Sequence, residues 1–477
     1  MVTFIISIIA LLLGYTVYSK LLEKVMDAKS DRPTPAMTMN DGIDYVPMPW
    51  WRVFLIQFLN IAGLGPIFGA IAGAMWGPVS FLWIVFGTIF GGAVHDYFSG
   101  MLSLKHGGKS ITEIIGIYMG IHAKQIMTIF IVVLLILVGV VFIAGPAGLL
   151  AGLTPQTLDY NFWVGIIFIY YILATLLPID KIIGKIYPLF GFALLFMAVS
   201  LIIALMAQGY RIPELTFDNL QNYHYQKEQF PVFPMLFITI ACGAISGFHA
   251  TQSPLMARCM KNEKEGRKVF YGAMVTEGIV ALVWAAISMS FFGGIRELND
   301  VMVAQKGNAA WVVNEVSHSL LGTFGAILAI LGVVAAPITS GDTAFRSARL
   351  TIADVLKSSQ KPIRNRLLII IPLFAVGFVL TRINFDIIWR YFAWANQTLA
   401  TVILWTITIY LLEEKNNKSY LISLIPAVFM TAVVTTYILL APEGFTLPKD
   451  IAYGIGLSMT LVIFILFFVY KKNHRRL

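Results

Sequence analysis

The sequence predicts an all-α polytopic membrane protein of about 13 transmembrane helices, ten of them forming a 5+5 inverted-repeat core. Three observations lead there. The 477-residue chain is 58% hydrophobic and 12% charged, with mean hydropathy +0.80, whereas a soluble domain carries about 25% charged residues. Its apolar runs approach or exceed the roughly 20 residues that span a bilayer as helix, and they lack the short alternating pattern of barrel strands. Finally, two runs lying five spans apart are interrupted at membrane depth by glycine, proline and polar residues. A bilayer tolerates free backbone groups only against protein or a water-filled cavity.

The runs fall at about 2–19, 50–74, 78–103, 125–150, 161–179, 186–208, 233–257, 268–292, 321–339, 365–382, 386–412, 419–440 and 449–470. The first lacks a basic leader and a small-residue cleavage site, so it reads as a retained helix and not a signal peptide. Residues 20–49, rich in charge and in Pro33, Pro35, Pro47 and Pro49, read as an exposed cytoplasmic loop. The expected division is 1–49 for the first helix and loop, 50–209 and 210–412 for the two repeats, and 413–477 for two peripheral helices and a basic tail.

Basic residues set the orientation. Alternate loops hold 27 of the 34 lysines and arginines. The other side holds only Arg211, Lys227, Arg296, Lys306, Arg382, Arg390 and Lys449. The N-terminus is therefore expected outside and the C-terminus in the cytoplasm of a multi-pass cell-membrane protein. No basic cluster with interleaved aromatics suggests nucleic acid. Cys242 and Cys259 are too far apart on one helix, about 25 Å at 1.5 Å per residue, for a disulfide.

The first interrupted run reads Asn60-Ile-Ala-Gly63-Leu-Gly65-Pro66. Glycines recur at 65, 69, 73 and 77, a small-residue stripe for close helix contact. The second reads Ile240 to Pro254, with Gly243, Gly247 and Pro254 weakening the helical ladder and Ser246, His249, Thr251 and Gln252 adding polar groups. The two runs start from opposite sides, as expected of discontinuous first helices (spans 2 and 7) in inverted repeats spanning helices 2–11. Amphipathic segments 110–122 and 309–320 follow the second helix of each repeat on opposite faces. The half-helix after Gly65 can turn its positive end toward a substrate carboxylate. Asn60, Gly63, Gly65, Ser246, His249, Thr251 and Gln252, with Asn396 and Gln397 of span 11, are the expected substrate-binding residues.

Glu277 lies about ten residues inside span 8, where an ionised carboxylate is costly unless paired or facing a cavity. It is the first choice for proton coupling, with His249; a neutral, hydrogen-bonded acid is the structural alternative. His95 and Asp96, near the cytoplasmic end of span 3, read as an interfacial or gating contact, since adjacent helical residues face apart. Arg390 reads as an outer-gate or carboxylate-binding cation, or as a side chain snorkelling to the interface. Thr339, Ser340 and Asp342 end span 9. They offer ligands if sodium is the coupling ion, or Asp342 caps a following cytoplasmic helix that starts at Thr343.

Gly65-Pro66, Gly77-Pro78, Gly91-Gly-Ala-Val-His-Asp96, Gly107-Gly-Lys-Ser110, Gly247-Phe-His-Ala250, the Glu277 segment, Gly341-Asp-Thr-Ala-Phe-Arg346 and Ala395-Asn-Gln397 resemble the carbon starvation protein A (CstA) family, in order, from about residue 50 to 412. The chain looks shorter than the long enterobacterial members. The resemblance implies an inner-membrane secondary transporter active in carbon starvation. Its substrates would be peptides, as in some members, or pyruvate, as in others, with proton symport for the pyruvate carriers. It also implies distant kinship to the APC superfamily and its LeuT-like fold. The expected partners are the lipid bilayer and a small-molecule or peptide substrate. No cofactor is expected beyond a coupling H+ or Na+. A nutrient-binding sensor and a sodium-coupled carrier of another solute are the alternatives. A channel would need a charged ring or filter motif, and an enzyme a paired-histidine or nucleophile motif; the sequence shows neither.

Overall fold

The computed structural model describes residues 1–42, 44–176, 180–358, 362–415 and 418–474. Among these no strand forms, and the apolar runs are helical apart from the two breaks. Ten helices are long and apolar enough to cross a membrane, and a pair bent by 55° makes eleven. In chain order they begin with α1 (Val2–Met26), the bent pair α2 (Trp50–Ile61) and α3 (Gly65–Trp76), and α4 (Val79–Lys105). A capped amphipathic helix α5 (Ile111–Met119) leads to α6 (Ile121–Leu153), the shorter α7 (Tyr160–Leu176) and α8 (Asp180–Ala207). Span 7 is two pieces, α9 (Val232–Leu236, continued by Phe237–Thr239) and α10 (His249–Ala257). Then come α11 (Glu263–Phe291), the short α12 (Ile295–Ala304), α13 (Ala309–Ala353), α14 (Ile363–Leu380), α15 (Phe385–Glu414), α16 (Lys418–Leu440) and α17 (Lys449–His474).

The two interrupted spans cross antiparallel. Gln57 Nε2 reaches Ser253 Oγ at 3.5 Å. A side chain on Gly65 would collide with Cys242, one on Gly69 would stand 2.9 Å from the Thr239 carbonyl, and one on Gly73 would strike Ile240. Trp76 Nε1 donates to the Phe230 carbonyl at 3.1 Å. The glycine stripe is thus the face on which α3 meets α9 and the second break, packed backbone to backbone. The first break follows from Pro66, which lacks an N–H, and from Ala62, which leaves helical geometry at ψ 43°. The second follows from Gly243, whose φ of +91° suits glycine.

Four expectations change. Pro254 does not interrupt span 7. It sits inside α10, and the break falls on residues 240–248, where Gly243 and the contact at Gly247 redirect the chain. Within α13 the helix runs unbroken from Ala336 through Thr343 to Ala353, so Asp342 is no N-cap; its carboxylate instead bonds Arg346, one turn on, at 3.1 Å. The amphipathic segment at 309–320 joins span 9 through a kink at Gly322 (φ 60°). The fourth change concerns residues 27–49, which are not a free loop. Thr34 and Ala36 are buried, Thr34 Oγ1 donates to the Met260 carbonyl at 2.6 Å, and Met48 N donates to the Cys259 carbonyl at 3.0 Å. Arg32 pairs with Glu263 at 3.1 Å. This strap lies across the C-terminal end of α10. Charge and proline hid it, because its burial depends on a partner more than 200 residues away. Lys361, Arg475 and Arg476 of the charge pattern lie outside the described residues.

Candidate functional site

The backbone groups freed by the second break are taken up by neighbouring helices. Trp83 Nε1 of α4 donates to the Ile240 carbonyl at 2.9 Å, and Thr88 Oγ1 to the Gly243 carbonyl at 2.9 Å. Asn396 of α15 accepts from Phe248 N at 2.7 Å through Oδ1, and from Gly247 N at 3.1 Å through its own carbonyl. Its Nδ2 donates to Ser246 Oγ at 2.9 Å. Asn396 and Ser246 therefore hold the break in shape. Thr251 Oγ1 donates to the Phe248 carbonyl at 2.7 Å, and Gln252 Nε2 to Thr251 Oγ1 at 2.9 Å. Gln397 Nε2 donates to the Phe237 carbonyl at 3.2 Å. The oxygens of Asn60, Gln252 and Gln397 side chains are buried without a partner, polar capacity left unused at the crossing.

Beside the break lies a fully buried chain of titratable groups. His95 Nδ1 meets Asp96 Oδ1 at 2.7 Å, His249 Nδ1 meets Asp96 Oδ2 at 2.8 Å, and His249 Nε2 faces Glu277 Oε2 at 3.4 Å. Cys242 Sγ lies within 4.8 Å of the facing His249 and Glu277 atoms. His95 and Asp96 are thus no interfacial contact. Their helix positions diverge, as adjacent residues must, but their side chains turn toward each other across a short span. Four groups from α4, α10 and α11 come together here, and sequence reasoning had treated them as two separate features.

On the face carrying the 210–231 segment, a vestibule of about 390 Å³ opens between α3, α9, α12 and α15. That is within the usual size of a small-ligand site. Phe68, Thr239 and Trp389 line it close to the helix crossing, with Trp76, Tyr225 and Phe230 in its walls. A second cavity of about 300 Å³ shares Phe68, Lys306, Phe385 and Asp386 with it. The polar groups are Lys306, exposed in the wall, Asp386, Arg390 and His224. Arg390 is held by Glu443 at 3.1 Å, whose carboxylate also takes the Tyr437 hydroxyl. Arg390, the expected gating cation, is thus ion-paired in this structure. His224 Nδ1 accepts from Gln226 N at 3.1 Å, and its ring centroid stands 4.4 Å from that of Trp76. Burial in this aromatic setting pushes the His224 imidazole down to about 4, so it is neutral near pH 7. Of the expected site residues only Arg390 lines the vestibule; Asn60, Gly63, Gly65, Ser246, His249, Gln252, Asn396 and Gln397 lie buried, and Thr251 half-buried, at or next to the crossing beneath it. The missed signal was the short roster of basic residues on this face, which contains Lys306.

Ser340, next to Thr339, meets the end of α2 at the first break. Ser340 Oγ contacts the Leu59 carbonyl at 3.3 Å and the Ala336 carbonyl at 3.2 Å, and Thr339 Oγ1 donates to Ala336 at 2.7 Å. Asp342 lies further along the same helix and pairs with Arg346 at 3.1 Å.

The sequence matches the description "Carbon starvation protein CstA" over residues 1–151, 149–320 and 302–437. The chain belongs to the carbon starvation protein CstA family. An uncharacterized membrane protein of Haemophilus influenzae is 44% identical over 351 residues, 64% of this chain and 95% of its own length. Peptide transporter CstA of Bacillus subtilis is 26% identical over 528 residues, 90% of this chain and 88% of its own. Pyruvate/proton symporter BtsT of Escherichia coli is 28% identical over 340 residues, 58% of this chain and 47% of its own. Among solved structures, a manganese transporter of Eremococcus coleocola covers 92% of this chain and 99% of its own, at 13% identity and a TM-score of 0.46. That likeness is too distant to bear on fold or substrate. CstA-family relatives with an assigned role carry solutes, so this multi-span chain is a membrane transporter and not an enzyme.

Proposed function

We propose that the chain imports short peptides through alternating access, with proton symport at the Glu277–His249 pair. The observation that carries this is the vestibule, open on one face, bottoming on two crossed and broken helices, with the opposite face closed by the strap. Broken helices at a midplane crossing are where secondary carriers bind and switch. The vestibule holds both a cation, Lys306, and an anion, Asp386. A peptide presents a carboxylate and an ammonium, and both wall charges then find a partner. The few basic residues on its face support an outside position for it, with the N-terminus outside and the C-terminus cytoplasmic. The antiparallel crossing of α2–α3 with α9–α10 supports the five-plus-five inverted repeat.

Proton coupling draws its support from burial. Two carboxylates, Asp96 and Glu277, share a site with no exposure, and leaving both charged without compensation would cost several kcal/mol. Proteoliposome uptake of dialanine, with and without an imposed proton gradient, tests this. Glu277→Gln is expected to abolish gradient-driven accumulation; full accumulation in that variant sinks the proton role.

Two second readings have specific support. Pyruvate needs only the cation. Lys306→Ala would then lower transport while Asp386→Asn spares it, whereas peptide transport loses roughly tenfold in kcat/KM from either change. Sodium coupling is favoured by the Ser340 contact to Leu59 and the unpartnered Asn60 oxygen; uptake that follows a sodium gradient at fixed pH would select it.

A further inference from the structure

Asp96 touches both histidines of the buried network, and the notion of proton coupling at Glu277 and His249 gives it no part. Its carboxylate takes His95 Nδ1 on one oxygen and His249 Nδ1 on the other, at 2.7 and 2.8 Å. A histidine whose Nδ1–H is held by a carboxylate has its tautomer and ring orientation fixed, and presents Nε2 as the working nitrogen. His249 Nε2 is buried, has no hydrogen-bond partner and faces Glu277 Oε2 at 3.4 Å. Both Glu277 oxygens are likewise buried without a hydrogen bond. The titratable groups around His249 are Asp96 and, behind it, His95 on α4, Cys242 in the break and Glu277 on α11. Helix α15 adds only the neutral Asn396, through Cys242 at 3.5 Å.

We infer that Asp96 is the positioning residue of the proton site. By accepting His249 Nδ1–H it turns Nε2 toward Glu277, so that one proton is shared between that nitrogen and the Glu277 carboxylate. This rests on the proton-coupled reading above. The proton step balances simply. One proton sits either on Glu277, beside a neutral imidazole, or on His249 Nε2, beside a carboxylate. On release it passes to water, leaving carboxylate and neutral imidazole with Nδ1–H still on Asp96.

The placement also links proton to helix position. His249 is the first residue of α10, the half-helix beyond the break, while Asp96 and Glu277 stand on the unbroken α4 and α11. A shift of α10 stretches the bond to Asp96, frees the ring and withdraws Nε2 from Glu277. The site then gives up its proton as the broken helix moves.

The test uses purified full-length protein in liposomes, with dialanine and pyruvate as separate probes. Two modes are measured: accumulation driven by a proton gradient, as a function of pH, and counterflow of the same probe without a gradient. Asp96→Asn is expected to lower driven accumulation by roughly tenfold and to flatten its pH profile, while counterflow stays within about twofold; Asp96→Glu is expected to restore the profile. Unchanged accumulation and pH profile in Asp96→Asn would overturn the inference. So would an equal loss of both modes that Asp96→Glu does not restore, since that marks a packing role. If the wild-type chain itself accumulates either probe without regard to a proton gradient, the coupling reading fails first, a result distinct from an Asp96 failure in a gradient-dependent protein.

Discussion

The two ends of the helix crossing are closed by different chemistry. At the vestibule end the walls are aromatic side chains, with Lys306 exposed and about 390 Å³ of open space. At the strap end, a length of main chain is held by hydrogen bonds and an ion pair. Met48 pairs with Met260 as an isolated bridge, the Cys259 carbonyl is taken by Met48 N, and Glu263 accepts from Lys29 N at 3.0 Å as well as from Arg32. Side-chain walls can yield one residue at a time, whereas a strap held at several points moves as a segment. On the proposed alternating-access reading, the first end admits the ligand and the second opens when the strap lifts.

The largest expected effect breaks the joint between the ends. Gly65→Leu places a side chain where even a Cβ collides with Cys242. Uptake should be abolished, while size-exclusion chromatography reports whether the detergent-solubilised protein stays monodisperse. Retained wild-type uptake would show that the crossing is not the moving part.

A second, smaller effect belongs to the vestibule end alone. His224 is held at about 4 against an ordinary 6.5. The unfolded chain takes up its proton as pH falls through 6.5, and the folded chain resists until about 4. Stability is therefore full above pH 6.5 and declines as pH drops from 6.5 to about 4, by on the order of 3 kcal/mol. Thermal unfolding across that range should show the decline, and His224→Phe should flatten it; identical slopes would refute the assignment.

The smallest effect belongs to the strap end. Arg32 is partly exposed and its pair with Glu263 should contribute about 1 kcal/mol. In a Cys242→Ser background, Cys259 is the only thiol, and it is buried. Arg32→Ala should speed maleimide labelling of Cys259 roughly fivefold. An unchanged rate would mean that the strap does not control access on that side.

The sequence made the breaks legible because glycine and proline act locally: Gly63, Gly65, Pro66 and Gly243 carry their own reasons for leaving the helix. It made the orientation readable through lysine and arginine counts. It could not bring Asp96 to His249, 153 residues away, because that contact depends on how α4 packs over the second break. Reasoning from helix faces alone also hid the His95–Asp96 contact, since side-chain torsions bring neighbours together where backbone directions diverge. The strap failed for a related reason. Its composition is that of a solvated loop, and residues far along the chain, among them Cys259, Met260 and Glu263, supply the surface that buries it. Asn396 was legible as important but not for its task, since a side-chain amide that caps a broken helix looks the same in sequence as one that faces a ligand.

The antiparallel joint has one more consequence. Gly65 against Cys242 and Gly69 against Thr239 place the two broken helices head to tail about a shared centre, so tilting them one way or the other differs little in local geometry. Nothing in such a joint is a ratchet. On the proposed proton-coupled reading, the direction of net flow is set by the gradients across the bilayer and not by the chain, and vesicles loaded with substrate and lacking a proton gradient are expected to show the same protein running as an exporter.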